Sequence, residues 1–98
     1  MIYLSKAKFD LGNICMTSGI AELMEEGKIT TNELESILQK HVNGDWGDLC
    51  EEDKLENEAA LSTGESRLMS TYTINNIKIW IITEWDKSVT TILLPEEY

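Results

Sequence analysis

The fold is decided by LMSTYTINNIKIWIITEWDKSVTTILL, the stretch from residue 68 to residue 94 of a 98-residue chain. It is filled with Ile, Thr, Tyr, Trp and Val, which favour strands, and turn residues interrupt it at Asn75-Asn76 and at Asp86-Lys87-Ser88. Three strands joined by two hairpins are the simplest structure for this pattern. The stretch therefore predicts a three-stranded antiparallel β-meander.

The first hairpin has a predicted register. Asparagine tolerates positive φ, so Asn75-Asn76 suits the two central residues of a tight hairpin turn. A turn at that place sets three facing pairs across the strands: Ile74 with Ile77, Tyr72 with Ile79, and Thr71 with Trp80.

The middle strand, predicted over Ile77–Trp85, is apolar on both faces. Side chains alternate along a strand, so its isoleucines at 77, 79 and 81 share one face, which we expect to pack on the helices. The opposite face carries Trp80 and Ile82 beside Lys78 and Glu84. We expect the N-terminal segment to cover this second face in part, or else an exposed apolar patch.

The residues before the strands predict three short helices, each starting at a capping residue and ending at a glycine. The first covers about residues 18–26, between Thr17 or Ser18 and Gly27, the second runs from Thr30 to Gly44, and the third from Asp48 to Gly64. Thr30 and Glu33 form a capping box, and Asp48 with Glu51 is a similar pair. An extra short strand could lie at Met1–Leu4. The chain is thus predicted to be α+β.

Length and charge restrict the function. The length indicates one domain over residues 1–98. Eighteen Asp and Glu face eight Lys and Arg, for a formal net charge of −10. A surface of this sign repels phosphates and anionic membranes and attracts basic proteins. Direct binding of nucleic acid is therefore disfavoured, and a basic protein surface is the expected partner.

The sequence also bears on location and cofactors. It has no apolar window long enough to span a bilayer and no signal-peptide pattern, so we expect a cytoplasmic protein that does not bind membranes. Cys15 and Cys50 lack CxxC spacing, and two free thiols are expected. No cofactor is expected, since the sequence lacks the phosphate-binding and dinucleotide-binding motifs.

The densest charge lies at residues 45–58, where seven carboxylates face the single Lys54 for a net charge of −6. One interpretation is a solvated helix whose first turn favours negative charge. The other is a partner-binding face anchored by Trp46, although Trp46 could equally lie in the core. In the second interpretation the partner-binding residues are Asp45, Trp46, Asp48, Glu51, Glu52, Asp53, Glu56 and Trp80.

A metal site is not predicted. Asp45, Asp48, Asp53 and Glu56 offer oxygen ligands, but their spacing does not match an EF-hand loop. His41 is the single histidine, so the chain cannot build a histidine cluster for zinc. Its place on the apolar stripe of the second predicted helix is typical of a structural histidine.

Three other interpretations remain open. A small metal-assisted hydrolase would use His41, Asp45, Asp48 or Cys50, and these groups would have to converge in one pocket. A structural or regulatory homodimer would form through Trp80 and Ile82. A polar set could line a pocket on the sheet, although ion pairing across strands explains it more simply: Arg67, Tyr72, Glu84 and Asp86.

Two strings carry a resemblance to a known family, GDWGD at residues 44–48 and TTILLPEEY at residues 90–98. Further matching positions are Leu11-Gly12-Asn13-Ile14, Thr17-Ser18-Gly19, His41, Glu52-Asp53-Lys54, Asn57, Arg67, Ser70, Tyr72 and the run IWIITEWDKSV at residues 79–89. From Phe9 to its C-terminus the chain resembles a family of short, largely uncharacterised bacterial proteins encoded on plasmids and other mobile elements. It departs from the family at Ser18, where proline is expected, and at Lys87, where arginine is expected.

The resemblance implies a setting and assigns no residue roles. Small acidic proteins of mobile DNA commonly disarm host defence by occupying basic nucleic-acid channels. We therefore expect an interaction protein, not an enzyme, that inhibits a nucleic-acid-targeting defence complex in the manner of anti-CRISPR or anti-restriction proteins. The expected partner is a Cas effector or a restriction enzyme, bound by a monomer or a homodimer.

Overall fold

The computed structural model describes residues 8–98 and has the predicted α+β architecture, with three α-helices and a four-stranded sheet. In chain order the elements are β1 (Asn13–Met16), α1 (Ser18–Glu25), α2 (Thr31–Val42), α3 (Glu51–Thr63), β2 (Leu68–Ile74), β3 (Ile77–Thr83), β4 (Val89–Leu93) and a short 3-10 helix (Pro95–Glu97). The strand considered at Met1–Leu4 lies outside the described residues.

The sheet order is β1-β4-β3-β2, so the prediction of a three-stranded antiparallel sheet is wrong. β2, β3 and β4 are antiparallel neighbours, but β1 joins them in parallel beside β4. The N–H of Thr17, just after β1, donates to the C=O of Ile92 at 3.1 Å. β1 has four residues, too few for a two-residue alternation to reveal a strand in the sequence.

The first hairpin has the predicted register at every pair. Asn75 and Asn76 both have positive φ, at 51° and 66°, as a two-residue hairpin turn requires. The middle strand is shorter than predicted, since β3 ends at Thr83. The N–H of Glu84 donates to the C=O of Val89 at 3.0 Å, and the second turn therefore begins before Trp85.

The isoleucine face of β3 packs on the helices, as predicted. Ile79 and Ile81 have no exposed surface, and Ile77 is half-buried. They share one core with apolar side chains of α1 and α2: Ile20, Leu34, Ile37, Leu38 and Val42. Full burial of one such side chain contributes about 1.5–3 kcal/mol, which makes this layer the main apolar contribution to stability.

The helix starts agree with the sequence in two cases and differ in the third. α1 and α2 begin where predicted, and the capping box is present, with Glu33 N–H donating to Thr30 Oγ1 at 3.2 Å. The predicted cap at Asp48 is wrong, because α3 follows Cys50, which makes no side-chain cap bond. Asp48 instead accepts a hydrogen bond from Thr73 Oγ1 at 3.0 Å, beside β2.

The second face of β3 is covered in part from the C-terminus, while residues 1–7 of the N-terminal segment lie outside the described residues. Within the described residues, Tyr98 packs against Trp80 with ring centroids 5.4 Å apart, and Ile82 is buried. The guanidinium of Arg67 also lies over the Tyr98 ring, 5.1 Å from its centroid. The expected apolar patch is therefore not exposed at Ile82.

Glu97 joins the C-terminus to the start of α1. Its carboxylate accepts hydrogen bonds from the Thr17 hydroxyl, from the N–H of Gly19 at 2.9 Å and from the N–H of Leu94 at 3.0 Å. These bonds, with that of Thr17 the largest, hold the pKa of Glu97 below its ordinary value. The C-terminal residues are thus held in place over Trp80.

Candidate functional site

The GDWGD loop pairs with the outer edge of β2. Asp48 N–H donates to Thr71 C=O at 2.8 Å, and Thr71 N–H donates to Trp46 C=O at 3.3 Å. Gly47 lies between them with φ of +69°, and a Cβ at this position would lie 1.9 Å from the Thr71 oxygen. Only glycine fits this backbone contact. The loop fixes the entry of α3 beside the sheet.

Asn57 of α3 continues the cover of the same edge. Its side-chain Nδ2 donates to Met69 C=O at 2.6 Å, and its Oδ1 accepts from Met69 N–H at 3.2 Å. The amide side chain of Asn57 thus forms hydrogen bonds with both backbone groups of Met69. Together with the loop, it orients α3 along β2, so that the opposite side of the helix faces solvent.

Trp46 lies in the core, which was one of the two positions considered for it, and not on a partner-binding face. Its side chain is 3% exposed, and its Nε1–H donates to Glu58 Oε2 at 2.8 Å. The indole stacks with the ring of Phe9, with the ring centroids 6.2 Å apart. It contacts the His41 ring edge-on, with the centroids 5.8 Å apart. It is therefore not available on the surface as an anchor for a partner.

His41 is fully buried, and hydrogen bonds occupy both of its ring nitrogens. Nδ1 lies 2.5 Å from Ser70 Oγ, and Nε2 lies 2.9 Å from Thr83 Oγ1. Burial lowers the pKa of His41 to about 3, so the ring is neutral at pH 7. The prediction of a structural histidine is confirmed.

The direction of this buried chain of hydrogen bonds follows from its last acceptor. Thr90 Oγ1 donates to Leu11 C=O at 2.7 Å, so Thr83 must donate to Thr90, at a distance of 2.7 Å. The Thr83 oxygen is then the acceptor for Nε2–H of His41, and Ser70 donates to Nδ1. With 0% exposure, the imidazole cannot reach a substrate, and the set that the hydrolase alternative requires does not converge.

α3 presents its carboxylates to solvent. Two of its side chains are buried, Asn57 and Ala60, while Leu55 is 68% exposed among the acidic residues. Within residues 8–98, two ion pairs occur within 4 Å, Lys54 with Glu51 and Lys28 with Glu26. Most of the negative charge on α3 therefore has no cationic partner in the described part of the chain.

A groove of about 760 Å³ lies between α3 and the turn after β3. Its lining residues are Leu49, Asp53, Glu56, Asn57, Ala59, Ala60, Thr63, Glu65, Ser66, Arg67, Met69, Glu84 and Trp85. We call it the acidic groove. Four carboxylates and one cation line it, and none of them belongs to an ion pair within the described residues. The ion pairing suggested for Arg67 and Glu84 is therefore not formed.

Trp85 gives the acidic groove an exposed aromatic wall. Its side chain is 61% exposed, next to Glu84 at the start of the second turn. The sequence predicted Trp85 as the last residue of the middle strand. β3 ends at Thr83, so Trp85 lies outside the strand.

The predicted partner-binding residues do not form one surface. Asp53 and Glu56 line the acidic groove, while Asp45 and Asp48 line a separate depression of about 250 Å³ together with Lys40. The remaining members are distributed elsewhere: Glu51 and Glu52 in the exposed first turn of α3, Trp46 in the core, and Trp80 beneath Tyr98.

Comparisons with protein-family models, with curated proteins and with solved structures found no match. In the described part of the chain, no helix has the length and apolar character needed to cross a bilayer. The same residues hold no group of three or more His, Cys, Asp or Glu arranged to bind a metal ion. Cys15 and Cys50 are both free and exposed.

Proposed function

We propose that this chain is an interaction protein that binds a basic segment of a partner protein in the acidic groove and on the adjoining face of α3. The observation that carries the proposal is the unpaired charge of the groove. Asp53, Glu56, Glu65 and Glu84 line it, and no ion pair within residues 8–98 involves any of them.

An arginine or lysine of the partner would gain in two ways in this groove. Charge-assisted hydrogen bonds to carboxylates are stronger than neutral ones, and no internal ion pair of the described residues has to break before they form. The exposed ring of Trp85 offers a cation–π contact beside the same carboxylates.

The identity of the partner rests on the net charge and on the resemblance to proteins of mobile elements. A chain with a charge of −10 associates quickly with basic surfaces, such as those that bind nucleic-acid phosphates. We propose a basic nucleic-acid-binding surface of a host defence complex, a Cas effector or a restriction enzyme. Occupation of that surface would inhibit the complex by excluding its nucleic acid.

A binding experiment with purified Cas effectors and restriction enzymes tests this function. The double variant Asp53→Lys, Glu56→Lys reverses charge in the groove, and we expect it to weaken both binding and inhibition strongly. The control is Glu22→Lys, Glu25→Lys, which makes the same change in net charge on exposed positions of α1. Equal effects of the two variants would show a general charge effect and contradict a role for the groove.

Salt dependence gives a second test of the same interaction. Binding through exposed carboxylates should weaken steeply between about 50 mM and about 300 mM NaCl, because screening shortens the range of the attraction. The slope should be smaller for the groove variant than for the α1 control. Binding that is indifferent to salt would contradict the charge-based mechanism.

A further inference from the structure

The two edges of the sheet differ in whether other residues cover them. The β2 edge is covered by the GDWGD loop and by the side chain of Asn57. The other edge is β1, and no described residue pairs with its outer side. An uncovered edge presents unpaired backbone groups that can accept another strand.

Along β1, residues whose backbone groups bond to the β4 side alternate with residues whose backbone groups point away from it. The N–H of Asn13 donates to Ser88 and that of Thr17 donates to Ile92, so alternate residues point toward β4. In a parallel pair, the intervening residues point outward. Ile14 and Met16 are these residues, and the side chain of each is 44% exposed.

We propose that β1 pairs antiparallel with β1 of a second copy of this chain, which joins two four-stranded sheets into one across a two-fold axis. The sequence of the strand, NICM, carries no charge in a chain whose net charge is −10. Two copies can therefore approach each other here with less repulsion than at the charged surfaces. A basic partner would gain no electrostatic attraction from this strand.

The register of the pairing follows from the outward residues. Centring the two-fold axis on Cys15 places Ile14 opposite Met16 of the second copy, and each such pair exchanges both backbone hydrogen bonds. The exposed Ile14 and Met16 side chains then cover each other on one face of the joined sheet. The two Cys15 residues face one another with Cα atoms about 4.5 Å apart, inside the range that a disulfide spans.

The dimer should be weak, since a strand of four residues buries less surface than the roughly 1,200 Å² at the lower end of stable interfaces. Its salt dependence should be opposite in sign to that of the binding to a basic partner. Two chains of equal negative charge repel each other, and added salt screens this repulsion. Self-association should therefore strengthen as salt increases.

Sedimentation equilibrium on the full chain tests the proposal between about 10 µM and about 1 mM, a range suited to weak association. We expect a monomer–dimer equilibrium that shifts toward dimer with NaCl. Ile14→Lys should raise the dimer dissociation constant at least about tenfold, because a charged edge opposes strand pairing. The control, Leu55→Lys, also replaces an exposed aliphatic side chain by lysine, on α3, and should leave the constant within about twofold.

The cysteines report the register in a separate measurement. Diamide takes two electrons and two protons from a pair of thiols, and it should join two copies of Cys50→Ser through Cys15 but not two copies of Cys15→Ser. A chain that stays monomeric throughout the concentration range would overturn the proposal, as would a dimer that Ile14→Lys does not weaken. Cross-linking only through Cys50 would also overturn it.

Discussion

The side-chain amide of Asn57 binds both backbone groups of Met69, accepting from its N–H and donating to its C=O. Asn57→Asp keeps the acceptor but loses the donor, so the C=O of Met69 is left without its partner. We expect a loss of about 1–3 kcal/mol in the free energy of unfolding, measured by urea denaturation at pH 7. Asn32→Asp, the same exchange at an exposed position of α2, should change it by less than about 0.5 kcal/mol.

Gly47 should be the least replaceable glycine of the GDWGD loop. Gly47→Ala places a methyl group 1.9 Å from the Thr71 oxygen in addition to straining a positive φ, and we expect a loss of more than about 3 kcal/mol. Gly27 has a similar φ of +75° with open space around it, so Gly27→Ala should cost only about 1 kcal/mol. Thermal denaturation of both variants separates the contact from the strain, and equal losses would contradict the close approach at Thr71.

His41 should make the protein less stable as the pH falls. Its folded pKa is about 3 and its ordinary value is 6.5, so between these values the unfolded chain binds more protons than the folded one. Stability from this group is complete above pH 6.5 and decreases toward pH 3. At pH 5 the expected loss is about 2 kcal/mol relative to pH 7.

Urea denaturation of the wild type and of His41→Gln at pH 7 and pH 5 measures this term. The variant has no imidazole to titrate, so its loss between the two pH values represents all other groups. Hydrogen bonds lower the pKa of Asp86 and of Glu97, and because both carboxylates are present in the two proteins their contribution cancels in the comparison. Equal losses in the two proteins would contradict a depressed pKa at His41.

Thr83 should be required as a hydroxyl in the buried chain of hydrogen bonds. Thr83→Val keeps the shape but leaves Nε2–H of His41 without an acceptor, and we expect a loss of about 1–3 kcal/mol. Thr83→Ser retains the hydroxyl and should recover the part of this loss that is due to the hydrogen bonds. Chemical denaturation of the two variants would contradict the assignment if valine were the more stable replacement.

Trp85 should contribute to partner binding and little to folding. Trp85→Ala removes the exposed aromatic wall of the acidic groove, and the partner's dissociation constant should rise by about 2- to 10-fold. Trp85→Phe keeps a ring face and should restore part of the affinity. Unchanged affinity with alanine, with an unchanged circular dichroism spectrum, would exclude a role for this ring.

The strands and helices with local signals were predictable, and the contacts between distant segments were not. The turn at Asn75-Asn76 and the capping box of Thr30 carry their information in neighbouring residues. The parallel pairing of β1 depends on β4, which lies at the other end of the chain. Aspartate is a preferred residue at the start of a helix, but the backbone hydrogen bond between Asp48 and Thr71 overrides that preference.

The candidate site shows the same division. Acidic residues of α3 were recognised from charge alone, and Asp53 and Glu56 do line the groove. Trp46 is buried, which is one of the two environments considered for it, and Trp85 is exposed beyond the end of the strand that was predicted to include it. A tryptophan in a loop and a tryptophan after a strand have no local pattern that distinguishes these outcomes, which are decided by packing between elements.

The place of β1 in the sheet has a consequence for the order of folding. The β2–β3 hairpin closes a loop of two residues, whereas Asn13 meets Val89 only after nearly the whole described chain has been organised. Closing the longer loop costs more chain entropy, so the hairpin should form early and β1 should dock last. Substitutions in β1 should then accelerate unfolding and leave the refolding rate almost unchanged.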